Sequence, residues 1–200
     1  MKNKKFNLFH FIEENFNNSF NYVKDSRKFI YSIILVFFFF ALVGFFVPLP
    51  PEISKELLDY FRKIIEETKG FGLFDLIIFL FRNNSLSGFM GLFFGVILGI
   101  FPVINAIING LVLGFVSNLS VTKNGAISLW RLFPHGIFEL PAIFISLGLG
   151  VKLSTFIFKK DKLNSLINFL EKSFWSFLLI VVPLLILAAI IEGTLIYLGF

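Results

Sequence analysis

The 200-residue chain contains no cysteine, which excludes disulfides, thiolate metal sites and a cysteine nucleophile. Histidine occurs only at His10 and His135. Neither belongs to an HExxH-type motif, so a nitrogen-rich catalytic zinc site is not expected. There is no Gly-rich phosphate loop and no serine nucleophile elbow, so the chain brings no ATPase of its own. No cleavable signal is expected either. The first long apolar run, from Phe29, is too long for a signal h-region and lacks a small-residue cleavage site.

What the chain has is apolar surface. Hydrophobic residues make up 56%, phenylalanine alone supplies 31 positions, and the mean hydropathy is +0.85. A water-soluble domain of this length could not hide that much apolar area without large exposed patches. A soluble enzyme, a disordered chain and a nucleic-acid module are therefore excluded, and the solvent must be largely lipid. The net charge of +5 then belongs to membrane topology and anionic head groups, with no nucleic acid as partner.

Residues 1–28 form a cytoplasmic amphipathic segment. Phe9, Ile12, Phe16, Phe20 and Val23 recur at steps of three or four, which is one helical stripe. Two placements stay open, flat in the membrane interface or packed on the rest of the chain; His10 is read as solvated. Residues 29–200 form a single helical membrane domain. Phe29 to Val47 carries no charge and is long enough to cross a bilayer core, after which Pro48, Pro50 and Pro51 end the helix. Residues 52–69 read as an amphipathic surface helix, with Leu57, Phe61 and Ile65 expected to face the membrane domain. Phe71–Phe81 is too short to cross and reads as interfacial or re-entrant, broken off by Arg82, Asn83, Asn84 and Ser85. Leu86 to Leu119 runs uncharged over a length that would make one helix of roughly 50 Å, so two spans joined near Gly99–Pro102 fit better. Gly91, Gly95 and Gly99, like Gly110 and Gly114, are spaced for close helix packing.

The expected fold is all-α: a polytopic helical membrane protein with about five transmembrane helices (29–48, 85–100, 102–119, 132–151 and 174–198) plus amphipathic interfacial helices. Lys2, Lys4, Lys5, Lys24, Arg27 and Lys28 precede the first span, and Lys152, Lys159, Lys160, Lys162 and Lys172 gather in the connection before the last. Placing both groups inside requires five spans, with the N-terminus cytoplasmic and the C-terminus outside.

Ionisable groups inside spans are costly in lipid and are functional candidates by default. His135 and Glu139 are spaced i, i+4, with Arg131 one turn earlier on the same face. Glu192 falls at matching depth on the last span. These four, with Asn83 and Asn109, form the candidate polar cluster, and Asn105 lies i, i−4 from Asn109. Three readings stay open: a buried structural network, a proton or ion path, and a metal site.

The stretch Phe133-Pro134-His135-Gly136-Ile137-Phe138-Glu139-Leu140-Pro141-Ala142 resembles the signature of the stage II sporulation protein M family. Asn83-Asn84 before a Gly-rich span, Asn109-Gly110 followed by Gly114, and Ala188-Ala189-Ile190-Ile191-Glu192 resemble it too. The resemblance implies a multi-span integral membrane protein. In endospore formers such proteins belong to an engulfment complex, where they anchor a peptidoglycan-degrading enzyme and its partner. The resulting expectation is a non-enzymatic scaffold or recruiting component of the cell membrane, with no cofactor. Its partners are the lipid bilayer and other membrane or cell-envelope proteins, and a homo-oligomer stays open. The alternatives are a transporter or channel-like subunit with an intramembrane His/Glu path, and an intramembrane metal-dependent enzyme.

Overall fold

The computed structural model describes residues 8–199, excepting the side chains of residues 8, 9 and 131–135. The described residues form eight α-helices and no strand: α1 (Leu8–Asp25), α2 (Arg27–Phe46), α3 (Pro51–Thr68), α4 (Leu73–Phe93), α5 (Ile100–Asn124), α6 (Phe133–Ser154), α7 (Lys162–Ser176) and α8 (Val182–Tyr197). Five helical stretches are long and apolar enough to cross a membrane: Arg27–Phe46, Leu73–Val96, Ile100–Asn124, Gly136–Phe158 and Lys162–Tyr197.

Two boundaries differ from the sequence reading. Arg82, Asn83, Asn84 and Ser85 do not interrupt the chain, because α4 runs unbroken through them. Phe71–Phe81 is thus no separate re-entrant segment, and most of it is the first half of the second span. In lipid the backbone must satisfy its own hydrogen bonds, and helical continuity does so while Arg82 and Asn83 project from the surface and Asn84 and Ser85 are half-buried. The N-terminus of α4 is held by Asp75, whose carboxylate accepts from the Gly72 amide at 3.1 Å, a capping arrangement. Secondly, residues 162–176 are helical and run into α8 as one 36-residue stretch. The junction is a π turn at Phe177–Val181. Pro183 follows at once; its ring would clash with the carbonyl of Leu179 in a regular helix, and the wider turn relieves this.

The centre of the bundle is α6. On one side Ile143, Phe144 and Leu147 pack against Ile30, Ile33 and Phe37 of α2 and Ala106 of α5. On the other, Ala142 and Leu149 pack with Leu92 of α4 and with Phe177, Val181 and Leu185. The α2–α5 seam is the tightest. A Cβ placed on Gly110 or Gly114 would overlap the carbonyl oxygens of Phe37 or Ala41, so the glycines let the two backbones touch. The α4–α5 turn closes through Gly99, whose φ of +69° suits glycine.

Two helices lie at opposite ends. At one end α1 docks through Ser19 and Tyr22, which are buried like Ser26 at the α1–α2 junction, while Ile12, Phe16 and Phe20 of its apolar stripe point outward. The protein takes the polar seam and leaves the apolar stripe free, an orientation that suits contact with lipid. The Lys152 ammonium sits 3.7 Å over the Tyr22 ring and donates to Ser26 Oγ at 2.9 Å. Burial pushes the Tyr22 hydroxyl up to about 12. With Lys24, Arg27, Lys28 and the lysines near α7, this is the basic end of the molecule. At the other end lies α3, with no buried residue. Leu57 and Phe61 are half-buried, but Ile65 is 66% exposed and does not face the membrane domain. Successive steps of four drift around a helix by about 40° each, and the half-buried line continues instead through Ile64 and Thr68.

Candidate functional site

Toward the α3 end the helices diverge around a cavity of about 620 Å³. Its walls come from Phe37 and Phe38 of α2, Asn109 to Ser117 of α5 and Gly136 to Ile143 of α6, and Phe61 of α3 reaches its rim. Glu139 of α6 and Glu192 of α8 both line it. Glu139 reaches the cavity because it lies about two turns before Ser146 and Leu147, on the packed side of α6. Glu192 does so because Ala188, Ala189 and Gly193 around it form the buried face of α8.

Two backbone features serve the site. Pro141 stands inside α6 and has no N–H, so the carbonyl of Ile137 lacks its helical partner beside the cavity. Asn109 donates to Asn105 Oδ1 at 2.8 Å, and Asn105 donates to Ser87 Oγ at 3.4 Å. A short polar string therefore leads from the cavity toward the basic end. Beyond it the bundle closes. Leu92, Leu147, Leu149 and Leu153 are fully buried, and a Cβ on Gly95 would strike the backbone of Gly150. None of these packed residues lines the cavity.

Of the residues singled out from the sequence, Glu139, Glu192 and Asn109 line this space. Asn83 does not: it lies exposed on α4, a helix that contributes nothing to the described lining. The side chains of Arg131 and His135 fall outside the described residues; their backbone belongs to the 3₁₀ segment Ala126–Leu132 and to the first turn of α6. Among the described residues no three His, Asp or Glu side chains gather in a way that could hold a metal ion. The aromatic wall of Phe37 and Phe38, the Ser117 hydroxyl and the Phe61 rim were not foreseen. Residue pattern within one helix carries no signal for such long-range convergence.

These features define an α-helical membrane protein with five helical stretches able to cross a bilayer and an acidic cavity among them. The sequence model of the stage II sporulation protein M family matches residues 33–195, which is most of the chain, and the protein belongs to that family. No curated protein and no solved structure matches it.

Proposed function

We propose that this protein is a non-enzymatic component of a cell-membrane complex, and that its cavity is a socket for a segment of a partner membrane protein. The single observation that supports this is the close packing that separates the cavity from the basic end. A guest can reach it past the α3 rim or past the exposed Phe38 and Ile137, yet within one copy the closely packed glycines and leucines near the basic end leave it no way across. The rim fits the role as well. Phe61 sits on a helix with no buried residue, so displacing it costs little packing. In this reading the basic end is cytoplasmic and the C-terminus lies outside, since the lysines near α1 and α7 gather at one end.

The experiment is site-specific photo-crosslinking in native membranes. A crosslinker at Val116 or Ile137 should capture a defined membrane protein, and one at the outward-facing Leu35 should not. Equal capture from all three positions would reject the socket. One observation favours a second reading, transport: the Asn109–Asn105–Ser87 string extends the polar surface beyond the cavity. Cation or proton flux in reconstituted vesicles, abolished by Glu139→Gln, would establish that reading in place of the first.

A further inference from the structure

Arg82 stands in an unusual place. It lies in α4, nine residues from the Leu73 start, which at 1.5 Å per residue is about 13 Å down the helix. Its side chain is exposed. The same outward face carries Phe74 and Ile78 above it and Leu86 and Phe89 below it, all exposed. The apolar band that would meet lipid therefore runs on both sides of the arginine. A guanidinium at such a depth is costly and calls for an acidic or carbonyl partner. Among the described residues the recorded ion pair is Arg62–Asp59, on α3.

The depth of Arg82 can be read from helix register. α4 and α6 run side by side, with Gly91 against Leu147 and Gly95 against Gly150. Nine residues back along both helices places Arg82 level with Phe138, one residue from Glu139. Within one copy the two do not meet, because Arg82 faces away from α6 while Glu139 lines the cavity. A cation on the outer face and a carboxylate in the cavity thus lie at one height in the membrane, on different sides of the molecule.

We propose that a second copy of this chain supplies Arg82 to the Glu139 side of the cavity, joining the protein into a homo-oligomer within the membrane. This rests on the socket reading of the cavity and names its occupant. The occupant is a helix face with Arg82 at its centre and Ile78, Leu86 and Phe89 around it. Those apolar side chains meet Phe38 and Ile137, which line the cavity and are exposed at its edge. An arginine is suited to this pairing, since its planar fork stays charged and holds a carboxylate through two parallel hydrogen bonds.

The cysteine-free chain makes the test direct. Two differently tagged full-length copies are co-expressed, one carrying Ile78→Cys and the other Ile137→Cys, and the membranes are treated with a thiol crosslinker. A mixed-tag dimer is expected. It should be much weaker when Leu35→Cys replaces Ile78→Cys. Adding Arg82→Gln to both copies should lower the mixed dimer by about tenfold, and Arg82→Lys should retain part of it. A mixed dimer no stronger than the Leu35 control, or one indifferent to Arg82→Gln, overturns the proposal. Failure here can be told apart from failure of the socket. Photo-capture of a different protein at Val116, with the Ile78–Ile137 pair silent, keeps the socket and rejects the second copy. Silence of both rejects both.

Discussion

Replacing Gly114 with alanine tests what holds the membrane domain together. The added Cβ would overlap the Ala41 carbonyl oxygen and come within 2.7 Å of the Phe45 amide nitrogen. Both are backbone atoms and cannot swing aside, so α2 and α5 must part by about 1 Å. Between helices in lipid no hydrophobic gain compensates, because the tails are as apolar as the side chains; dispersion contacts are what is lost. A seam with the contacts of about one buried leucine holds ~50 atom pairs at ~0.1 kcal/mol each, and a gap of up to ~1 Å forfeits a quarter to a half of that. The expected loss is roughly 1–3 kcal/mol, in the range of other overpacked sites. The matched control is Gly72→Ala, whose Cβ would meet only the Asp75 carboxylate at 3.3 Å. Reversible unfolding in mixed detergent micelles gives both values. A Gly114→Ala loss no greater than that of Gly72→Ala would refute the claim that backbone contact, not side-chain area, secures the seam.

Three further outcomes follow from the structure. Phe61→Asp should destabilise the protein by less than about 1.5 kcal/mol, since Phe61 is only half-buried and α3 is lightly held; thiol labelling of a Val116→Cys probe should quicken as the rim opens. Glu139→Gln should fold yet lower capture at the cavity, since it removes the charge that an arginine would hold, whereas Glu139→Ala should lower stability as well; unchanged capture by a folded Gln variant would show that the carboxylate only accepts hydrogen bonds. Tyr22 gives a pH dependence at the α1 seam. Its hydroxyl is pushed up to about 12 by burial from an ordinary value near 10. Below pH ~10 it is protonated whether α1 is docked or not and adds no slope. Between ~10 and ~12 only the exposed form ionises, so docking weakens as pH rises, by roughly 2–3 kcal/mol in all. Trp175 fluorescence follows this through its contact with Phe11, and Tyr22→Phe should remove this part of the dependence, leaving only that of the lysines over the ring.

The spans were legible because hydropathy over some twenty residues follows directly from bilayer thickness. The meeting of Glu139 and Glu192 in one cavity was legible for a related reason, since charge-based topology assigns each a depth and costly groups seek each other at equal depth. The continuity of α4 was hidden. Arg82 to Ser85 read as a polar break, yet a helix can carry such a run when each side chain leaves on a different face. Asn83 was placed in the cluster for its position along the chain, and its angular position on α4 sends it elsewhere. The Phe61 rim depends on how α3 folds back after three prolines, and local periodicity says only which residues share a face. Ile65 shows the limit of even that: counting by fours selects a line, and the docked line begins at the same residue and drifts the other way.

The π turn at Phe177–Val181 sets the relative rotation of two distant working surfaces. A π turn holds one residue more than the regular helix around it, and each residue turns a helix by about 100°. Below the turn Ser173 donates to the Tyr22 hydroxyl and Ser176 to the Ser19 carbonyl, both on α1, while Glu192, above it, faces the cavity. Delete a single residue within the turn, and a straight helix could satisfy one of these contacts or the other, never both. That five-residue stretch works as a coupling between two shafts cut to different angles, and through it the seat of the N-terminal helix and the aim of Glu192 are fixed together.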